Sequence, residues 1–234
     1  MKNFSKKHVL VALASLAAFL SGAAISQAAK TNKGAVKEGV SWINSAGMNQ
    51  FPGSSTGFKS DTISALTAAK KFGVKVPSGT KSKIIEAVRK ESTNYAVTAG
   101  AASKLILAAT ATGRDPRCFG PKNEESDFVN ILKGFREYDK GKWTGQYGES
   151  SFDHALALLA LKAAHEKIPS KAVSFAKSRR GQYGWNFTLR KSAGDDVESS
   201  ALMIEALRAA GVSKKSSALK SAYKWVTFQR NTDG

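Results

Sequence analysis

A single cysteine, Cys118, serves all 234 residues. An intrachain disulfide is therefore excluded, and a thiolate-rich zinc site would lack its other ligands. Histidine is almost as scarce. His8 stands near the N-terminus, while His154 and His165 fall on one expected helix, roughly 16 Å apart and too far to share an ion. No metal site is expected. Negative charge is also short, 18 acidic residues against 36 lysines and arginines, for a net charge of +18. The lysines are nonetheless scattered in ones and twos ("KSK", "SKK"), with no basic helix face interleaved with aromatics and no nucleic-acid motif. Nucleic acid is thus not an expected partner. A dispersed positive surface suits anionic cell-wall polymer, lipid headgroups, or solubility alone. Strand-like alternation is nearly missing as well, which points to an all-α chain.

Long apolar runs are confined to the start. Lys2, Lys6 and Lys7 precede "VLVALASLAAFL" (9–20), and "SGAAISQAA" then places Ser26 and Ala28 at −3 and −1 of a cleavage point. This order predicts a secretory signal peptide over 1–28, too short and wrongly flanked for a membrane span. No later run is long enough to cross a bilayer, so no transmembrane segment is expected. The mature chain, 29–234, is expected to be secreted or displayed at the cell surface. Its charge is near +15, because three lysines leave with the signal. About 205 residues remain, enough for one sizeable core.

What the chain does have is an internal repeat. Four segments read alike: "DTISALTAAKKFGVKVP" (61–77), "AASKLILAATATGRDP" (101–116), "DHALALLALKAAHEKIP" (153–169) and "ESSALMIEALRAAGVSK" (198–214). Each is an Ala/Leu-rich helix closed by Gly73, Gly113, His165 or Gly211, at spacings of 40, 52 and 46 residues. Glycine just past the last turn, with proline soon after, is a helix stop. Between these lie more charged helices with one apolar stripe: 35–46, 80–92, 126–139, 170–179 and 216–229. One class apolar nearly all round and one half-exposed predict two layers of helices. Gly/aromatic loops such as "DKGKWTGQYGESSFD" and "RRGQYGWNFTLRKSAGDD" return the chain to the buried class. Their rings either line a pocket at one end of the layer or plug it.

The helix ending "WVTFQRNTDG" and the aromatic Gly loop leading into "DDVESSALMIEALRAAG" resemble the repeats of the terpenoid cyclase and protein prenyltransferase superfamily. The resemblance spans the mature chain and is strongest over 143–234. It implies an α/α toroid, six inner and six outer helices around a central cavity. About nine helices of an expected twelve are legible here, so the count implies an incomplete ring, truncated at the C-terminus within 29–234.

The resemblance also frames the candidate chemistry. Class II cyclases of this superfamily protonate an alkene with Asp-x-Asp-Asp at the top of an inner helix. Here the matching residues are Asp196, Val197, Glu198 and Ser199, with Asp195 just before, so Glu198 would be the acid and the last carboxylate is absent. The prenyltransferase zinc ligands find no match. A structural reading competes: Asp61, Asp153, Asp196 and Glu198 stand within about a turn of expected inner-helix starts, where carboxylates cap backbone N–H groups and oppose the helix dipole, while Ala101 holds that place in the second repeat. The remaining functions are binding functions. Trp143, Tyr147, Tyr183, Trp185 and Phe187, with Asp153, could hold an apolar or planar small molecule in the toroid mouth. The expectation is a secreted, non-catalytic ligand-binding or cell-surface module without a cofactor. The alternatives are an exported cyclase-like enzyme using Glu198, and a cobalamin-carrier-like domain, the one reading in which cobalamin enters.

Overall fold

A computed structural model describes residues 55–77, 79–121 and 126–229, together with 34, 36–41 and 43. The expected signal peptide over 1–28 and the tail Asn231–Gly234 lie outside the described residues, while residues 36–41 of the helix expected at 35–46 are described and helical. The described chain is mostly helical, with one small sheet. Its helices are α1 (Thr56–Lys71), α2 (Thr80–Tyr95), α3 (Ala99–Ala111), α4 (Phe128–Gly134), α5 (Ser151–Ala163), α6 (Ser170–Ser178), α7 (Val197–Ala209) and α8 (Ser217–Phe228). Strands β1 (Arg136–Asp139) and β2 (Lys142–Tyr147) form an antiparallel hairpin. No helix among the described residues is long and apolar enough to cross a membrane.

Two compact units divide these elements. The first takes in the described residues up to Tyr95 and those of Leu107–Ser126; the second takes in Ala96–Ile106 and the described residues from Asp127 onward. In the first, α1 packs on α2. Helix α1 is buried on most sides, through Ile63, Leu66, Ala68 and Ala69 among others, whereas α2 buries a single stripe, Ile84, Ile85, Val88 and Ser92. Thr67 Oγ1 donates to Ala111 O (3.1 Å), and Arg89 Nε donates to Gly120 O (3.2 Å), closing the unit over Phe119.

The second unit repeats the contrast. Helix α5 is buried continuously from His154 to Leu161, and α6 buries only Ala172, Phe175 and Ala176. Two helix classes, one covered and one striped, are thus present as the periodicity predicts. Helix α7 packs on α5 and on α8, and β2 packs on α6. The N-terminal ends of α3, α5 and α7 lie side by side: Gly100 N donates to Asp153 Oδ1 (2.9 Å), and Ser151 Oγ donates to Ser199 Oγ (2.9 Å).

Helix ends follow the expected stops. Gly73, Gly113 and Gly211 all take the left-handed conformation (φ 69°, 75° and 87°), and His165 takes it as well (φ 57°), at some steric cost for a residue with a Cβ. Helix starts differ from expectation in two repeats. Helix α1 begins at Thr56, capped by Ser55, which puts Asp61 in the second turn, beyond the start of the helix. Helix α3 begins at Ala99, and Thr98 Oγ1 accepts from Ala101 N (3.1 Å); a hydroxyl caps where the sequence reading saw only Ala101.

The helix expected over 126–139 is also shorter. Asp127 caps it, accepting from Asn130 N (2.9 Å), but it stops at Gly134 and the chain turns into β1. Glycine in mid-helix is costly, and Lys140-Gly141 supplies two consecutive positive φ values (48° and 74°), the reversal that matches strand twist in a two-residue hairpin. Gly145, in β2, lets that strand lie directly on α6: a Cβ there would sit 2.7 Å from Lys171 O and 2.9 Å from Phe175 Cβ.

Candidate functional site

The segment between α6 and α7 is organised by its two adjacent aspartates. Asp196 is the N-cap of α7, with Oδ1 accepting from Ser199 N (2.7 Å). Its other oxygen accepts from Phe187 N (2.9 Å), and its own N–H donates to Trp185 O (2.9 Å). Asp195 Oδ2 accepts from Tyr183 N (2.8 Å) and Gly184 N (3.1 Å). Its Oδ1 is buried with no partner among the described residues and packs against Gly181. Both carboxylates are therefore bound to main-chain N–H groups of one loop, which orders residues 183–187.

Ser200 completes the clamp from the first turn of α7. Its hydroxyl accepts from Trp185 N (2.8 Å) and donates to Trp185 O (3.0 Å). It also lies so close to Gly184 that no side chain fits there. Trp185 is fully buried and its Nε1 donates to Ala176 O on α6 (2.8 Å). Asn186 closes the remainder of the loop, donating to Arg190 O (2.7 Å) and Ala193 O (3.2 Å).

These anchors set which rings face water. Tyr183 and Phe187 are 44% and 58% exposed. Tyr183 lies nearly parallel to Trp225 of α8 (centroids 6.4 Å, interplanar 8°), and Phe187 tilts over Phe152 of α5 (5.9 Å). Glu198, in the first turn of α7, is exposed.

Trp143 and Tyr147 form a second cluster, on β2. They meet edge to face (5.5 Å), and the fully buried Tyr147 stacks on His154 (6.2 Å), which in turn meets Phe175 edge-on (5.2 Å). The Arg136 guanidinium lies over the Trp143 ring (4.9 Å), its pKa raised chiefly by the neighbouring Tyr147 phenol. Tyr147 Oη and Arg136 Nε nevertheless lack an aligned partner among the described residues, so this contact is an electrostatic one without good hydrogen-bond geometry. His154 Nδ1 accepts from Tyr147 N (3.2 Å), so its Nε2 carries the proton and donates to Ala172 O (3.2 Å). Burial pushes its pKa down to about 4, the Ala172 bond opposing only in part. Asp153 belongs to the start of α5: it forms a capping box with Ser150, and its second oxygen holds Gly100 N of α3.

The aromatics expected at one mouth thus differ in burial. Trp185 and Tyr147 are core; Tyr183 and Phe187 are surface; Trp143 is intermediate. Sequence reasoning missed Trp225 and Phe152, which support the surface pair, because their contacts cross from other helices. It also missed Glu205, about two turns beyond Glu198 on α7, whose carboxyl is raised by burial to about 7. No group of three His, Cys, Asp or Glu residues able to hold a metal ion occurs among the described residues. Cys118, itself exposed, ends a 3-10 turn, Pro116–Cys118, whose Pro116 is buried. Comparison with protein-family models, with curated proteins and with solved structures finds no match for this chain.

Proposed function

We propose that the chain is an exported binding module, built as an α/α toroid of the terpenoid cyclase and prenyltransferase type, which holds an apolar or planar small molecule against the loop end of its covered helices. The observation that carries this reading is the use of Asp195 and Asp196 as clamps. With three of their four carboxylate oxygens accepting N–H groups, they hold the loop so that Tyr183 and Phe187 present their faces to solvent. Rings held in place on a rigid scaffold bind by stacking and burial at small entropic cost. The toroid reading is supported by the alternation of covered and striped helices and by the adjacent N-terminal ends of α3, α5 and α7. The exposure of Glu198 weighs against cyclase chemistry, since an acid that protonates an alkene has to be kept neutral and dry.

The test is calorimetric titration of the chain with a polyisoprenoid alcohol and, separately, with hydroxocobalamin. Saturable binding of either, weakened at least about tenfold in a Tyr183→Ala/Phe187→Ala double variant of unchanged helicity, is the expected result. Absence of saturable binding for both, or equal binding by the double variant, would overturn the reading.

A further inference from the structure

The first unit carries an open cleft of about 470 Å³ where the end of α1, the start of α2 and the turn after α3 meet. Three of its lining residues are cationic, Lys70, Lys81 and Arg114, and none is acidic. The carboxylate that does approach, Glu86, is shared between Arg114 (3.2 Å) and Arg89 (3.4 Å), so it neutralises at most part of one of the three charges. The Lys70 ammonium and the Ser82 hydroxyl have no hydrogen-bond or ion-pair partner among the described residues.

Lys81 is not a freely moving surface lysine. Its ammonium donates to Thr67 Oγ1 (2.9 Å) and to Ala111 O (3.5 Å), two neutral acceptors that fix it in the cleft wall and leave a third N–H for another acceptor. Burial, and then the Lys70 ammonium, depress its pKa. Two like charges are therefore held within repulsive range of each other, one of them tethered, with a buried Ile85 beside them to lower the local dielectric. An anion seated among them relieves that repulsion. A carboxylate would leave much of the charge unmatched, whereas a phosphate offers several oxygens and up to two negative charges, and guanidinium and ammonium groups are its usual partners.

We propose that this cleft binds a phosphate group, free or as the phosphodiester of a larger molecule, with Lys70, Lys81 and Arg114 as its ion partners and Ser82 as a hydroxyl donor. None of these residues belongs to the aromatic site, so the two proposals stand or fall separately. The experiment is calorimetric titration at low ionic strength with inorganic phosphate in one arm and glycerophosphoglycerol in the other. One equivalent should bind saturably, at least about tenfold more weakly in Lys70→Gln/Arg114→Gln. A charge-matched control, Lys191→Gln/Lys220→Gln, should stay within about twofold of the parent. The tighter arm identifies the free ion or the diester as the natural form. Equal weakening in both double variants would mean diffuse attraction to a basic surface and would overturn the proposal, as would the lack of saturable binding in both arms.

Discussion

Replacing Glu205 with glutamine should uncover a pH dependence of folding that the native chain largely conceals. His154 is buried with a pKa near 4 against an ordinary 6.5, so between those values the unfolded chain takes up a proton that the folded chain refuses. Its contribution is therefore constant above pH 6.5 and falls as pH drops toward 4, by about 3 kcal/mol in all. Glu205 works in the opposite direction. Burial raises its carboxyl from 4.5 to about 7, so the folded chain keeps a proton that the unfolded chain has already lost. That contribution is complete below pH 4.5 and disappears as pH rises through 7, by about 3 kcal/mol less what its partial exposure screens. Between pH 4.5 and 6.5 the two slopes oppose each other and nearly cancel. In Glu205→Gln only the histidine slope remains. The variant should match the parent near pH 4.5 and exceed it by about 2–3 kcal/mol above pH 7. Urea unfolding followed through the fluorescence of the buried Trp185 gives the midpoints at each pH. A difference between variant and parent that is the same at both ends of the range would refute the reasoning, because a polarity change without titration has no pH dependence.

Two further predictions concern single side chains. Asp196→Ala removes the α7 cap and the anchor of Phe187 together and should cost about 2 kcal/mol or more in urea unfolding, while Glu198→Ala, at an exposed position, should stay within about 0.5 kcal/mol. His165→Gly should raise stability by about 1 kcal/mol, read as a higher thermal midpoint, because a residue at φ 57° is relieved of its Cβ strain.

Most of the helical layout was legible because both signals it depends on are local. Apolar periodicity separates the covered α5 from the striped α6, and a left-handed closer can be recognised even when it is His165. The hairpin was not legible in the same way. Residues 136–139 extend the apolar spacing of the preceding helix, and only Gly134 and the Lys140-Gly141 pair mark the change. Of the four acids read as helix caps from position alone, Asp153 and Asp196 are caps, whereas Asp61 falls in the second turn of α1 and Glu198 sits exposed in the first turn of α7. The second oxygens of the two caps were out of reach of such reasoning, since Gly100 N and Phe187 N are brought to them by tertiary packing. The aromatics failed for a related cause. Nothing local distinguishes Trp185 from Tyr183; the Nε1 bond to Ala176 on another helix draws one inward and leaves the other at the surface.

The side-by-side starts of α3, α5 and α7 have an electrostatic consequence. Three helix dipoles end at one place with the same sign, an arrangement that is repulsive in itself. Asp153 offsets two of these poles with one carboxylate, since it serves the first turn of α5 and Gly100 of α3 together, and Asp196 offsets the third. Positive poles and negative side chains thus cancel locally at the end where the aromatic loop sits. The packing of three like poles at this end is therefore less repulsive than it would be without these two aspartates.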